Sequence, residues 1–166
     1  MIKLFEQFKN EQEIHDICKK YNIENYTINP DGSIDVDDGV DLSRKDLIKI
    51  PLKFNKVNGW FDCSYNKLTS LEGCPSYVGI SFNCSYNCLT TLENSPKKIC
   101  GSFNCYDNKL VNLKGIGEVK GLGIHCIQNP LESLEGYNGD LSKLYCLNKE
   151  KLIRKTKLKL LKEFYL

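Results

Sequence analysis

The segment Phe61-Asp62-Cys63-Ser64-Tyr65-Asn66-Lys67-Leu68-Thr69-Ser70-Leu71 returns 21 residues later as Phe82-Asn83-Cys84-Ser85-Tyr86-Asn87-Cys88-Leu89-Thr90-Thr91-Leu92. A third unit in the same frame places Phe103, Cys105, Asn108, Leu110 and Leu113, and a fourth places Ile124, Cys126, Asn129, Leu131 and Leu134. A fixed period of this length marks a stacked architecture, in which one unit cannot bury its apolar face alone and its neighbours bury it. One period upstream, Leu42, Leu47 and Ile50 hold the apolar positions; one period downstream, Tyr145, Leu147 and Leu152 do. Lys45 and Glu150 replace the asparagine there, so both outer units read as degenerate terminal rungs. This frame leaves Cys146 one residue off the inward column.

The pattern F-x-C-x-x-N-x-L-x-x-L resembles the leucine-rich repeat over about residues 40 to 152. The other half of a unit, Glu72-Gly73-Cys74-Pro75-Ser76-Tyr77-Val78-Gly79, is too short and too rich in turn residues for a full helix. The resemblance is therefore to the short bacterial and bacteriophage type. It implies a leucine-rich repeat solenoid with a parallel sheet of short strands and an extended or turn-like convex side.

The residues agree with that reading. Alternation puts Phe61 and Cys63 on one face of a short strand. The asparagine that follows is suited to bonding backbone groups as the chain turns. Stacking then makes a ladder of Asn66, Asn87, Asn108 and Asn129, while Leu68, Leu71 and Val78 fill the rest of a rung and recur as Leu89, Leu92 and Ile99.

The chain has 166 residues, 41% hydrophobic, with 23 basic and 21 acidic side chains and a net charge of +2, which fits one ordinary soluble domain. No apolar run approaches the roughly 20 residues needed to cross a bilayer. The start, MIKLFEQFKN, carries acid and amide where a secretion signal is apolar. A cytoplasmic protein without a membrane span is expected. The near-neutral balance gives no general case for nucleic acid.

Nine cysteines, an odd number, argue against a secreted disulfide framework. The period gives them a plainer role: Cys63, Cys84, Cys105 and Cys126 fill a tight inward column, as free cysteines often do, so the ladder thiols are expected to be free. Zinc at Cys84 and Cys88 lacks a second ligand pair at metal-site spacing. Thiol catalysis has only His15 and His125 as bases, and His125 points to the opposite strand face from Cys126. No enzyme activity, metal, cofactor or small-molecule substrate is expected.

Three parts follow: residues 1–39 as an N-terminal helix and hairpin cap, 40–148 as the solenoid, and 149–166 as a basic C-terminal helix that caps the last rung. In the first part Ile14, Ile17, Cys18 and Tyr21 lie at helical spacing, and Asn10 with Glu13 resembles a capping box at the helix start. Tyr26-Thr27-Ile28 and Ile34-Asp35-Val36 flank a Pro- and Gly-containing turn and read as a hairpin. Asp35, Asp37, Asp38 and Asp41 depart from the calcium-loop spacing and read as solvated turn acids. In the last part seven cations face two acids, and Ile153, Leu160, Leu161 and Phe164 form an apolar stripe.

The outward strand positions stack into columns on the expected concave sheet. One runs Asp41, Asp62, Asn83, Asn104, His125; the next Ser43, Ser64, Ser85, Tyr106, Ile127; the next Arg44, Tyr65, Tyr86, Asp107, Gln128; Trp60 stands above Ser81 and Ser102. Aromatics among amides and hydroxyls suit protein contact. The candidate partner-binding residues are Trp60, Asp62, Tyr65, Asn83, Tyr86, Asn104, Tyr106 and His125. A second candidate surface is Lys151, Arg154, Lys155, Lys157, Lys159 and Lys162, for nucleic acid or an acidic partner. The segment Tyr26–Val36 also looks like the one preceding the repeats in phage and prophage proteins of this kind. That resemblance implies a host-directed accessory protein, such as an inhibitor of a bacterial defence effector, an RNA-guided nuclease or other host ribonucleoprotein among them.

Overall fold

The computed structural model describes residues 2–165, with side chains described over 10–162. It is a parallel-strand β-solenoid of about five turns with two helices. Helix α1 (Ile2–Lys20) is followed by an antiparallel hairpin of β1 (Tyr26–Ile28) and β2 (Ile34–Val36). The stacked strands are β3 (Val40–Asp41), β4 (Phe54–Val57), β5 (Phe61–Asp62), β6 (Tyr77–Val78), β7 (Phe82–Asn83), β8 (Lys98–Ile99), β9 (Phe103–Asn104), β10 (Glu118–Val119), β11 (Ile124–His125) and β12 (Leu144–Tyr145). Helix α2 (Lys149–Tyr165) ends the chain. The front sheet has the order β12-β11-β9-β7-β5-β3, and the back sheet β1-β2-β4-β6-β8-β10. Among the described residues no helix is long and apolar enough to cross a membrane.

The period explains the packing. Phe61, Phe82 and Phe103 stack one above another with centroids 5.7 and 5.5 Å apart, and Phe54 meets Phe61 edge-on at 5.1 Å. The columns Leu68/Leu89/Leu110, Leu71/Leu92/Leu113 and Val57/Val78/Ile99 are fully buried between the sheets. The asparagines turn the chain out of each front strand. Asn108 Nδ2 donates to Cys105 O at 3.3 Å in its own rung and to Cys84 O at 3.0 Å in the rung before, while its Oδ1 accepts from Leu89 N at 3.0 Å.

The extended half of each unit is itself a sheet. Gly79 N donates to Val57 O at 2.9 Å and Cys100 N to Val78 O at 3.0 Å. At a constant rung spacing, extended segments on the back fall within hydrogen-bond reach of one another just as those on the front do.

The 21-residue frame slips once in the front sheet. Ile124 pairs with Leu144 and His125 with Tyr145, an interval of 20 residues. Leu144 therefore enters the phenylalanine column, Cys146 stands beyond Cys126, and Leu147, expected inside, is exposed. The residue leaving each front strand has a positive φ at Arg44, Tyr65, Tyr86, Asp107 and Gln128, and the next is Asn148, which marks the same slip. The back sheet shortens too, since Val119 pairs with Ile99. The residue regained before β11 is Leu122, which bulges out at 84% exposure.

The ends differ in part from the sequence reading. In α1, Ile14 and Cys18 are buried, with Ile17 and Tyr21 packed beside them, but the helix begins at Ile2, so Asn10 and Glu13 lie within it rather than at its start. The hairpin and its turn form as expected. Asp35 accepts from Asn29 and Asn55, Asp37 from Asn58, and Asp38 from Asn25. On α2 only the first turns pack: Leu152 is buried, Ile153 half-buried, and Thr156 Oγ1 accepts from Leu134 N at 2.9 Å. Leu160 and Leu161 are about half exposed, because the helix extends past the rung it covers. Phe164 lies outside the residues whose side chains are described.

All nine cysteines are free thiols. Burial pushes Cys84, Cys105 and Cys126 well above the ordinary thiol range, and Cys74 rises for the same reason beside Cys63. Brief alkylation of the native protein near pH 8 is expected to leave Cys18, Cys63, Cys84 and Cys105 unmodified, since burial removes access to all four. Denaturation should expose all nine. Peptide mapping by mass spectrometry checks this, and adducts at Cys63, Cys84 or Cys105 in folded protein would contradict the inward column.

Candidate binding face

The outward columns of the front sheet divide by duty. In the first, Asp41, Asp62, Asn83 and Asn104 each accept, through Oδ1, the backbone N–H two residues on, at 2.8–3.1 Å. Asn83 Nδ2 also donates to Asp62 Oδ2 at 2.9 Å. Asp62, Asn83 and Asn104 are half-buried and help shape the strand exits. Ser64 and Ser85 are nearly sealed at 3% exposure, which removes them from any contact surface.

The aromatic side chains form a continuous row. The Arg44 guanidinium lies 4.0 Å from the centroid of Tyr65. Tyr65 and Tyr86 are stacked at 4.2 Å and 14°, and Tyr86 meets Tyr106 at 5.1 Å and 48°. Hydrogen bonding with Tyr65 pushes the Tyr86 phenol up to about 12, which keeps that phenol uncharged at neutral pH. Farther along, His125 and Tyr145 stack at 4.7 Å and 8°. Ring faces of Tyr65 and Tyr86, and of His125 and Tyr145, cover one another in these stacks. That geometry suits the mixed apolar and hydrogen-bonding surface of a protein better than a base needing an open ring face.

Between the two stacks lies a shallow depression of about 230 Å³ lined by Tyr86, Asn104, Tyr106, His125 and Ile127. It is smaller than the usual small-molecule site of roughly 300–1,000 Å³ and has room for a side chain of a partner. The structure thus gathers Tyr86, Asn104, Tyr106 and His125, with Tyr65 adjoining through its stack. Trp60 stands elsewhere, its indole against Gly39 so closely that a Cβ there would lie 2.4 Å from the ring. Tyr145 was missed by the sequence reading because a strict 21-residue frame turned it inward. The signal was present in Leu144-Tyr145-Cys146, which repeats the apolar-outward-cysteine order of Ile124-His125-Cys126.

The basic residues lie on α2. Lys151, Arg154, Lys155, Lys157 and Lys162 are exposed, while Lys159 pairs with Glu135 at 2.8 Å and Glu135 also holds Lys114 at 2.8 Å. The other histidine is remote in sequence and already engaged, His15 Nδ1 lying 2.5 Å from the Tyr26 hydroxyl on the hairpin. Cys84 is fully buried and Cys88 half-buried in the turn beyond it. Among the described residues no three His, Cys, Asp or Glu side chains are placed to hold a metal. No protein family matches the chain, and no characterised protein or solved structure is significantly similar to it.

Proposed function

We propose that this protein is a non-enzymatic binding module of the short leucine-rich repeat type, with α1 and α2 as its end caps, and that it captures a protein partner on the front sheet. The repeated Phe, Cys, Asn and Leu positions and the asparagine ladder support the family reading. The observation that carries the function is the conformation of Tyr65 and Tyr86, which have φ of 54° at exposed positions. Glycine or asparagine adopts that conformation at lower cost, so a bulky ring at two successive rungs favours use of the ring. Tyr65, Tyr86, Tyr106, His125 and Tyr145 form the contact row, and the depression beside Tyr106 takes an anchoring side chain.

The resemblance of Tyr26–Val36 to phage proteins directs the search toward host defence effectors, RNA-guided nucleases included. Affinity capture from host cells, followed by mass spectrometry and nucleic-acid recovery, identifies the partner. Replacing Trp60, Tyr65, Tyr86 and Tyr106 together by alanine is expected to abolish capture in a folded variant. Retained capture rejects this face.

A second reading, nucleic-acid contact through α2, is favoured by the five exposed cations that no acid pairs with among the described residues. Binding driven by phosphate weakens steeply with salt, by roughly 0.7–0.9 logarithmic units per contact for each tenfold rise. No retention of RNA or DNA at low salt removes this reading.

A further inference from the structure

The two sheets end unequally. At the C-terminal end the front sheet has β12, whereas the back sheet stops at β10. Between β11 and β12 the chain passes the place of a further back strand as a loop and a short 3₁₀ helix, Leu141–Lys143. The Tyr137 hydroxyl donates to Asp140 O at 2.7 Å, and the Asp140 side chain caps the short helix by accepting from Ser142 N. A cavity of about 330 Å³ remains, bounded by Gly117, Glu118 and Val119 on one side and by Tyr137, Gly139 and Lys143 among the residues on the other.

The backbone at this edge is incomplete. Ser76 O and Val78 O accept from Lys98 N and Cys100 N, and one rung later Lys97 O and Ile99 O accept from Glu118 N and Lys120 N. The next carbonyls in that series, Gly117 O and Val119 O, receive no donor among the described residues, and both residues line the cavity. A strand added in the direction of β10 would end toward Lys120 and Lys143. The ammonium of Lys143 has no carboxylate within 4 Å among the described residues, and the carboxylate it acts on at longer range is Asp140 on the same lining.

We propose that β10 accepts an extended segment of a partner protein as one more parallel strand of the back sheet. Two alternate N–H groups of the segment donate to Gly117 O and Val119 O. An aliphatic side chain between them continues the column of Val57, Val78, Ile99 and Val119 into the cavity. An acidic residue or a chain-terminal carboxylate at the C-terminal end faces Lys143. An α-helix spends its N–H groups on its own carbonyls and so offers no alternate donors to the two carbonyls of this edge. Main-chain bonds supply affinity in this mode, and alternate side chains supply selectivity. The edge lies on the sheet opposite the aromatic row, so the inference stands whether or not that row binds a protein.

The probe is an acetylated pentapeptide copying Ser76–Ile80 with a free terminal carboxylate, because the back sheet already takes that segment as β6. Titration into isotope-labelled protein is expected to give saturable amide shifts confined to residues 116–124 and 136–143, with millimolar or tighter affinity. N-methylating the glycine removes the donor aimed at Val119 O and is expected to abolish binding. Amidating the terminus, or Lys143→Glu in the protein, is expected to weaken it severalfold. Absent shifts, shifts on the front sheet, or unchanged affinity after N-methylation overturn the proposal. The same shifts on concentrating the protein alone would assign the edge to a second copy and overturn it equally.

Discussion

Asn87→Ala lowers the free energy of unfolding by about 1–3 kcal/mol, with Asn108→Ala close behind, because each strands one buried backbone N–H, that of Leu68 or of Leu89. Asn87 Nδ2 donates to Cys63 O, Cys84 O and Ser85 O at 3.0–3.2 Å, and its Oδ1 accepts from Leu68 N at 3.0 Å. Leu68 is fully buried, so water does not take over its lost bond, whereas Cys63 O, Cys84 O and Ser85 O keep donors in Asn66, Asn108 and Tyr65 N. Asn66 serves the first turn, where Lys45 is exposed and Leu47 half-buried, and its replacement costs about 1–2 kcal/mol because water reaches part of what it leaves. The double replacement of Asn87 and Asn108 exceeds the sum of the singles. Cys84 O accepts from both side chains and loses its last donor only when both are gone. With three buried groups stranded at about 1–3 kcal/mol each, the double variant loses a large share of a total stability of about 5–15 kcal/mol. Urea denaturation followed by circular dichroism gives the midpoints. A single Asn87→Ala variant within about 1 kcal/mol of the parent would remove the ladder from its central place in the fold.

The front of the solenoid was legible because one period fixes both its geometry and its chemistry. Phenylalanine, cysteine, asparagine and leucine return at fixed offsets, and each has a distinct physical duty. The hairpin was legible from its turn residues, as its pairing of Tyr26 with Val36 shows. The back sheet was less so, since its outward column, Asp35, Lys56, Tyr77, Lys98 and Glu118, shares no chemistry and only the aliphatic residues beside it repeat. The slip in the last rung was missed for a different reason. A surface turn absorbs a lost or gained residue at little cost, as Leu122 shows, whereas the strands keep register because their inward faces are buried. Counting residues therefore misplaced Tyr145, Cys146 and Leu147 where strand alternation places them. The candidate site was legible as columns but not as a cluster. Sequence spacing put Trp60 on the same footing as Tyr86, although its indole packs on Gly39, 21 residues upstream in its own column, and not in the tyrosine row.

Replacing Tyr65 and Tyr86 together by asparagine separates binding from folding. Each tyrosine occupies the left-handed region, where a bulky residue is disfavoured by about 1–2 kcal/mol and asparagine by less. The substitution forfeits the 4.2 Å stack and the 5.1 Å contact of Tyr86 with Tyr106, about 0.5–1.5 kcal/mol each, and the contact of Tyr65 with Arg44, about 0.5–1 kcal/mol at an exposed site. These terms oppose the backbone relief and are of similar size, so the unfolding midpoint moves little and the far-ultraviolet spectrum is unchanged. Binding has no such compensation. Contact tyrosines at interface centres contribute at least about 2 kcal/mol each, so losing two weakens partner capture by at least about a hundredfold even with incomplete additivity. The rings are then retained against the local backbone preference for the sake of contact. Unchanged affinity with an unchanged midpoint would remove the tyrosine row from the binding face. A large fall in stability would make it part of the fold, because a purely structural role shifts the midpoint and a contact role shifts capture.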